Sequence, residues 1–170
     1  MILLGLGSNL SSSFGDRFKN LELAILYLEM YKIKILKKSS YYESLSYPEK
    51  NNPKFINVVI EIETNLSPED LASALIAAEE SLERKRKKKN DPRTCDVDII
   101  DYNSQILKFK CKNLDFTVPH EKLVNRNFVL LPLHEILPKW KHPISKDHIS
   151  ILIDRLSIVD KKSILKITKF

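Results

Sequence analysis

Residues 55–71 read FINVVIEIETNLSPEDL, and two structural periods meet inside them. From Phe55 to Glu63 the chain alternates. Ile56, Val58, Ile60 and Ile62 fall on one face; Asn57, Val59, Glu61 and Glu63 fall on the other, the pattern of a strand with one buried face. At Ser67 the period changes. Ser67 suits an N-cap, Pro68 fits a first helical position that needs no N–H, and Asp70 stands at the acidic capping-box position. Leu71, Leu75, Ala78 and Leu82 then recur at helical spacing as one apolar stripe.

Working outward, residues 1–6 read as a buried first strand, ended by a turn at Gly7-Ser8-Asn9. Phe18, Leu21, Ile25 and Leu28 stripe a helix, and residues 32–46 form a second extended segment. Downstream, residues 95–102 return to strand. The turn Tyr102-Asn103-Ser104-Gln105 predicts a hairpin into ILKF. The order is β-α-β-β-α-β. That predicts an α+β, ferredoxin-like sandwich: an antiparallel sheet with helices on one face. C-terminal hairpin and helix additions follow, with Ile149, Leu152, Ile153 and Leu156 sharing one helical face and an extended end at 164–170.

The chain has 170 residues, 43% of them hydrophobic, which suits a single domain over 1–170 burying about two-thirds of its unfolded surface. Its net charge of +6 favours an anionic partner without choosing one. Cys95 and Cys111 match no zinc or redox spacing. The start lacks the basic flank of a signal peptide, and no apolar run approaches the ~20 residues of a membrane span. A soluble, cytoplasmic protein is expected.

Chemistry concentrates in NDPRTCDVDIID, residues 90–101. On a strand, Cys95, Val97 and Ile99 would form a dry face, with Asp96 and Asp98 together on the wet one, their Cβ atoms roughly 6–7 Å apart. Unpaired, two such carboxylates would repel each other. Aimed at a hard cation they converge, and magnesium is held by one or two carboxylates plus substrate phosphates. The upstream run RKRKKKN, with Arg93 beyond it, offers phosphate clamps. Arg84, Arg86 and Arg93 can grip phosphate oxygens bidentately; the lysines Lys85 and Lys87–Lys89 read as a solvated or nucleic-acid-facing run. Acids for metal beside arginines for phosphate is the layout of a phosphoryl-transfer site. No glycine-rich phosphate loop is present. Asn57, unusual in a strand, could read the amide-like edge of a heterocycle or satisfy a neighbouring backbone group. Two other readings stay open on these residues. One is a basic RNA-binding sheet, against which the acidic residues of strand 55–63 argue; the other is a D-x-D nuclease or sugar-nucleotide transferase.

Four blocks together resemble the 6-hydroxymethyl-7,8-dihydropterin pyrophosphokinase family of folate synthesis: GLGSNL, FINVVIEIETNLSPEDL, LERKRKKKNDPRTCDVDII and TVPHEKLVNRNFVLLPLHEILP. The resemblance spans roughly residues 1–140, and PRTCDVDI is its most specific part. It implies transfer of the terminal diphosphate of ATP to the dihydropterin hydroxymethyl group, with release of AMP and two magnesium ions on Asp96 and Asp98. It implies a catalytic set of Arg84, Arg86, Arg93, Asp96 and Asp98. It adds ATP contacts at Glu79, Ile99, Thr117, His120 and Arg126, and a pterin pocket from Ser44, Leu45, Phe55, Asn57 and Phe128, the two rings sandwiching the substrate. The implied partners are these small molecules, with no nucleic acid or membrane, bound by a monomer. The chain departs from the family pattern at Asn90 and Asp91, often Trp and Gly there, at Phe55, often Tyr, at Glu83, commonly Gly, at Asp115, which can be basic, and in the register of residues 44–48.

Overall fold

The computed structural model describes residues 1–46, 51–86 and 90–168. The strands are β1 (Ile2–Ser8), β2 (Lys34–Lys38), β3 (Tyr41–Ser44), β4 (Phe55–Glu63), β5 (Asp96–Tyr102), β6 (Leu107–Cys111), β7 (Leu114–Val118) and β8 (Ile164–Ile167). The helices are α1 (Arg17–Met30), α2 (Pro68–Ser81), α3 (Asn127–Ile136), α4 (Ile149–Arg155) and α5 (Ile158–Lys162). The main sheet runs β5-β1-β4-β3-β8, with β2 also on β4, and every pairing is antiparallel. This is the expected ferredoxin-like order, extended at one edge by β8.

The helices form where the sequence places their signals. Ser67 caps α2, its hydroxyl accepting from the Asp70 N–H, and Asp16 caps α1 through the Lys19 N–H. Leu71, Leu75, Ala78 and Leu82 are all buried, as their spacing predicts. With Leu21 and Leu28 of α1 they cover Ile2, Leu4, Leu6, Ile56, Val58, Ile60 and Ile62.

Four expectations change. The first strand does not turn at Gly7 but runs through Ser8, pairing Gly7 with both Asn57 and Asp96. Here the glycine marks a close approach: a Cβ on Gly7 would lie 3.4 Å from Asn57 Oδ1 and from the Phe55 ring. The segment 32–46 is two strands, broken at Ser39, which exchanges two hydrogen bonds with Val59: its N–H donates to Val59 O (2.9 Å) and its Oγ accepts from Val59 N–H (3.0 Å). The turn at 102–105 forms, Gln105 N–H donating to Tyr102 O at 3.0 Å. β6, however, pairs with β7 rather than with β5, because Leu107, Phe109 and Phe116 turn their apolar face inward onto the first core. Finally, helices cover both faces. Leu3, Val59 and Ile100 lie beneath Leu130, Leu133, Trp140, Ile149 and Leu152 of the C-terminal segment, so Val59, on the outward side of the alternation, is only 1% exposed.

Trp140 pins this second layer to the sheet through Asp101. Asp101 is fully buried, its Oδ2 accepting from Trp140 Nε1 at 2.8 Å and its Oδ1 from Ser104 N–H at 2.7 Å. A bulge opposite Leu3 and Leu4 places Asp101 there. The open sheet platform that an RNA-binding reading needs is therefore occupied by α3 and α4.

Candidate active site

The second face of the sheet is left open at one end, where β1 leaves and β4 and β5 enter. Gly7 and Gly5 of β1 contribute no side chain there. Asp96 and Asp98 of β5 pair with these two glycines, and Asn57 and Val59 of β4 flank them on the other side. The result is a floor with two carboxylates on one side and an amide on the other.

Cys95, Val97 and Ile99 are buried on the dry face as expected, while Asp96 and Asp98 keep partial exposure. Arginines from three other segments meet these acids. Asp96 Oδ1 accepts from Arg84 Nη1 at 2.5 Å; its Oδ2 accepts from Arg93 Nε at 2.7 Å and is 2.6 Å from Arg93 Nη2. Asp98 Oδ2 accepts from Arg126 Nη1 at 3.1 Å. Burial would raise the Asp96 carboxyl, but Arg84 and Arg93 more than offset it and hold it down at about 2.

Glu79, on the last turn of α2, is 2% exposed. It accepts from Arg84 and Arg86 and, at 2.7 Å, from the Val97 N–H between the two aspartates. Burial pushes its carboxyl up to about 7, with the Asp96 charge adding to this and Arg84 and Arg86 opposing it. Glu79 therefore ties α2, the arginine segment and β5 into one unit. His120 follows the cis Val118–Pro119 bond, and its Nδ1 accepts from the Lys122 N–H at 3.1 Å. Burial lowers its pKa against the pull of Asp98, which favours a neutral imidazole beside the acids.

The aromatic pair flanks this floor. Phe55 lies at the start of β4 under the Arg93 guanidinium, 4.9 Å from the ring centroid. Phe128 opens α3 with Arg126 at 5.5 Å from its ring. Asn57 donates through Nδ2 to Ser44 Oγ (2.9 Å) and to Tyr42 O (3.2 Å). Its nitrogen thus does satisfy neighbours, and Oδ1 turns towards Gly7.

Of the residues singled out, Glu79, Arg84, Arg86, Arg93 and Asp96 form one ion-paired network, Asp98 and Arg126 form a second pair, and His120 lies near the acids of both, with Ser44, Phe55, Asn57 and Phe128 beside them. Thr117 lies on β7, opposite Lys108. Leu45 is 39% exposed just after β3. Ile99 has its side chain in the first core, so only its backbone faces the site. Lys87–Lys89 and residues 47–50 of the loop after β3 lie outside the described residues, as do residues 169–170 of the extended end.

Reasoning from residue types missed Asn9. It is 2% exposed and joins three segments: its Oδ1 accepts from the Arg93 N–H at 2.7 Å, and its Nδ2 donates to Pro53 O at 3.0 Å and Ser46 Oγ at 3.2 Å. The signal available was an Asn directly after a buried strand, where its side chain can replace missing backbone partners.

The donor set suits an ion that arrives with phosphate. Among the described residues no group of three or more His, Cys, Asp and Glu side chains is placed to hold a metal by itself. Two carboxylates on adjacent same-face positions match a magnesium site completed by substrate oxygens.

Known proteins resemble this chain in sequence and in fold. The family model for 7,8-dihydro-6-hydroxymethylpterin-pyrophosphokinase matches residues 3–138. The 2-amino-4-hydroxy-6-hydroxymethyldihydropteridine pyrophosphokinase of Aquifex aeolicus is 36% identical over 143 residues, which is 84% of this chain and 84% of that protein. The folic acid synthesis protein of Pneumocystis carinii is 33% identical over 96% of this chain, which spans only 21% of that longer protein. A crystal structure of the HPPK-DHPS protein of Plasmodium falciparum superimposes with a TM-score of 0.76 at 16% identity, over 97% of this chain and 46% of that one, a likeness of fold. Matched across most of its length in sequence, the chain belongs to the 7,8-dihydro-6-hydroxymethylpterin-pyrophosphokinase family.

Proposed function

We infer that this chain transfers the diphosphate of ATP to the hydroxymethyl group of 6-hydroxymethyl-7,8-dihydropterin, releasing AMP, and that residues 1–170 act as one pyrophosphokinase domain. The observation that carries the site assignment is the pairing of Asp96 and Asp98 with Arg84, Arg93 and Arg126. Each member of those pairs has a partner of opposite charge in MgATP. Aspartates exchange guanidinium for metal, and arginines exchange carboxylate for phosphate, so binding replaces one set of ion pairs by another and leaves no charge stranded.

Asp96 and Asp98 would hold magnesium, two ions in this reading. When bound, the metal neutralises phosphate charge and polarises the phosphorus under attack. Arg84, Arg86 and Arg93 grip the phosphates, and His120 and Arg126 orient the nucleotide from the opposite side. Glu79 holds Arg84 and Arg86 towards the strand through its contacts with both. Asn57 Oδ1 accepts from an N–H of the pterin edge. Phe55 and Phe128 exchange their arginine partners for the flat ring, which stacks between them. The chain's work is to place the substrate hydroxyl against the β-phosphorus and to exclude water. The proposed unit is a monomer with ATP and the pterin as its partners, in a cytoplasmic setting that supplies ATP. Among the described residues no helix is long and apolar enough to cross a membrane.

Incubation with ATP, magnesium and the hydroxymethyl dihydropterin tests the activity. AMP and the pterin diphosphate are expected; ADP with a pterin monophosphate, or no turnover, refutes it.

A further inference from the structure

α2 ends in a turn that is usually closed by glycine. Leu82 is its C-cap, and Glu83 follows with a φ of 63°. The Glu83 N–H donates to Glu80 O at 3.0 Å and the Arg84 N–H to Glu79 O at 3.1 Å. This pair of bonds is the Schellman motif, whose left-handed position favours glycine because a Cβ is strained there. A glutamate at that position calls for something that holds it.

Its carboxylate supplies the answer. Oε2 accepts from the Ser13 N–H at 2.9 Å and Oε1 from the Ser13 hydroxyl at 2.6 Å, across 70 residues of chain. These two bonds hold the Glu83 carboxyl below its usual range. The Ser13 side of the latch is itself anchored. Ser12 and Gly15 exchange backbone bonds, Ser12 Oγ donates to Asn20 Oδ1 at 2.6 Å, and Asn20 Nδ2 donates to Leu10 O at 3.0 Å. Asn20 is fully buried on α1. At its other end the same loop holds Arg93: the Asn9 and Leu10 N–H groups both donate to Arg93 O, at 3.1 and 3.2 Å. Residues 9–15 are thus bonded to both arginine-bearing segments, one through Asn9 and one through Ser13. Between them lies a cavity of about 570 Å³, lined by Leu10, Glu83, Lys85 and Arg93 among others.

We propose that Glu83 is a positioning residue: its latch to Ser13 fixes the direction in which the chain leaves α2, so that Arg84 and Arg86 meet the nucleotide phosphates already aligned with Arg93. This rests on the reading that Arg84 and Arg86 bind those phosphates. The latch restricts the arginine segment before ATP arrives, so the ordering cost is met in folding rather than in binding. Its loss should weaken nucleotide binding and leave the pterin side unchanged.

Glu83→Gly is the decisive variant, because glycine suits the backbone there and the fold should persist. Its melting temperature should equal or exceed that of the parent. Its KM for ATP, and the Kd for a non-hydrolysable ATP analogue with magnesium, should rise about five- to tenfold, the size of one net hydrogen bond. The kcat at saturation and the pterin Kd should stay within about twofold. Ser13→Ala keeps the backbone donor and should show a smaller rise. The Ser13→Ala/Glu83→Gly double variant should be no worse than Glu83→Gly, and Glu83→Gln, which retains an acceptor, should recover part of the loss. Arg86→Ala tests the underlying reading independently. If it leaves ATP binding unchanged, the arginine assignment falls and the proposal with it. If Arg86→Ala weakens ATP binding but Glu83→Gly does not, or if Glu83→Gly lowers kcat alone, or if the double variant is additive, the latch has no positioning role.

Discussion

Asp96→Asn keeps the shape of the side chain and removes its charge, and the structure sets the size of the loss. Three guanidinium nitrogens, two of Arg93 and one of Arg84, converge on this carboxylate at 2.5–2.7 Å, and the side chain is 20% exposed. Burial opposes ionisation, yet the two arginines draw the folded-state pKa from 3.8 to about 2. A carboxylate depressed in this way adds stability that is present in full above 3.8 and is lost as the pH falls through about 2. A shift of nearly two units amounts to about 2 kcal/mol at neutral pH. Breaking a more fully buried pair would cost up to about 4 kcal/mol, because two guanidinium groups are left facing one amide. For a domain of this size that is a fall in melting temperature of roughly 4–16 °C. Thermal unfolding at pH 7 measures it directly. Repeating the scan with magnesium and a non-hydrolysable ATP analogue then reads the second role of the residue. The parent should be stabilised by about 3 kcal/mol at a hundredfold excess of ligand over its Kd, and the variant hardly at all. A variant melting within about 2 °C of the parent would refute the apo ion-pair argument. Equal stabilisation of both proteins by the analogue would refute the metal assignment.

Phe128→Leu retains apolar bulk against the second core and removes the ring, so pterin affinity should drop roughly tenfold with ATP affinity unchanged, as read by titration calorimetry. Trp140→Phe removes the 2.8 Å donor to fully buried Asp101; about 1–3 kcal/mol of stability should go in urea unfolding, with little change in KM. Ser67→Ala deletes the α2 cap that accepts from Asp70 N–H at 3.1 Å and should cost about 1 kcal/mol in the same assay.

Local periodicity carries far in this chain and then stops. The alternation of residues 55–63, the capped stripe of 67–82 and the placing of Asp96 and Asp98 on one face are legible because each reports burial among neighbours a few residues apart. The block motifs placed the same residues in a known family. Pairings across long separations are another matter. Arg126 meets Asp98 across 28 residues, Glu79 meets the Val97 N–H across 18, and Ser13 meets Glu83 across 70. Such contacts depend on where the sheet closes, and no spacing rule encodes that. The run FVLLPL shows apolar character without saying what it covers; packed as α3 it closes the second face of the sheet and turns Val59 from an outward residue into core. The 102–105 turn likewise reads the same for a hairpin or a departure, and the burial of Leu107, Phe109 and Phe116 decided it. By itself the sequence determined the β-α-β-β-α-β order of the first 102 residues, the acids and the arginines. Only the tertiary structure decided which arginine holds which acid, since an ion pair is set by distance in space.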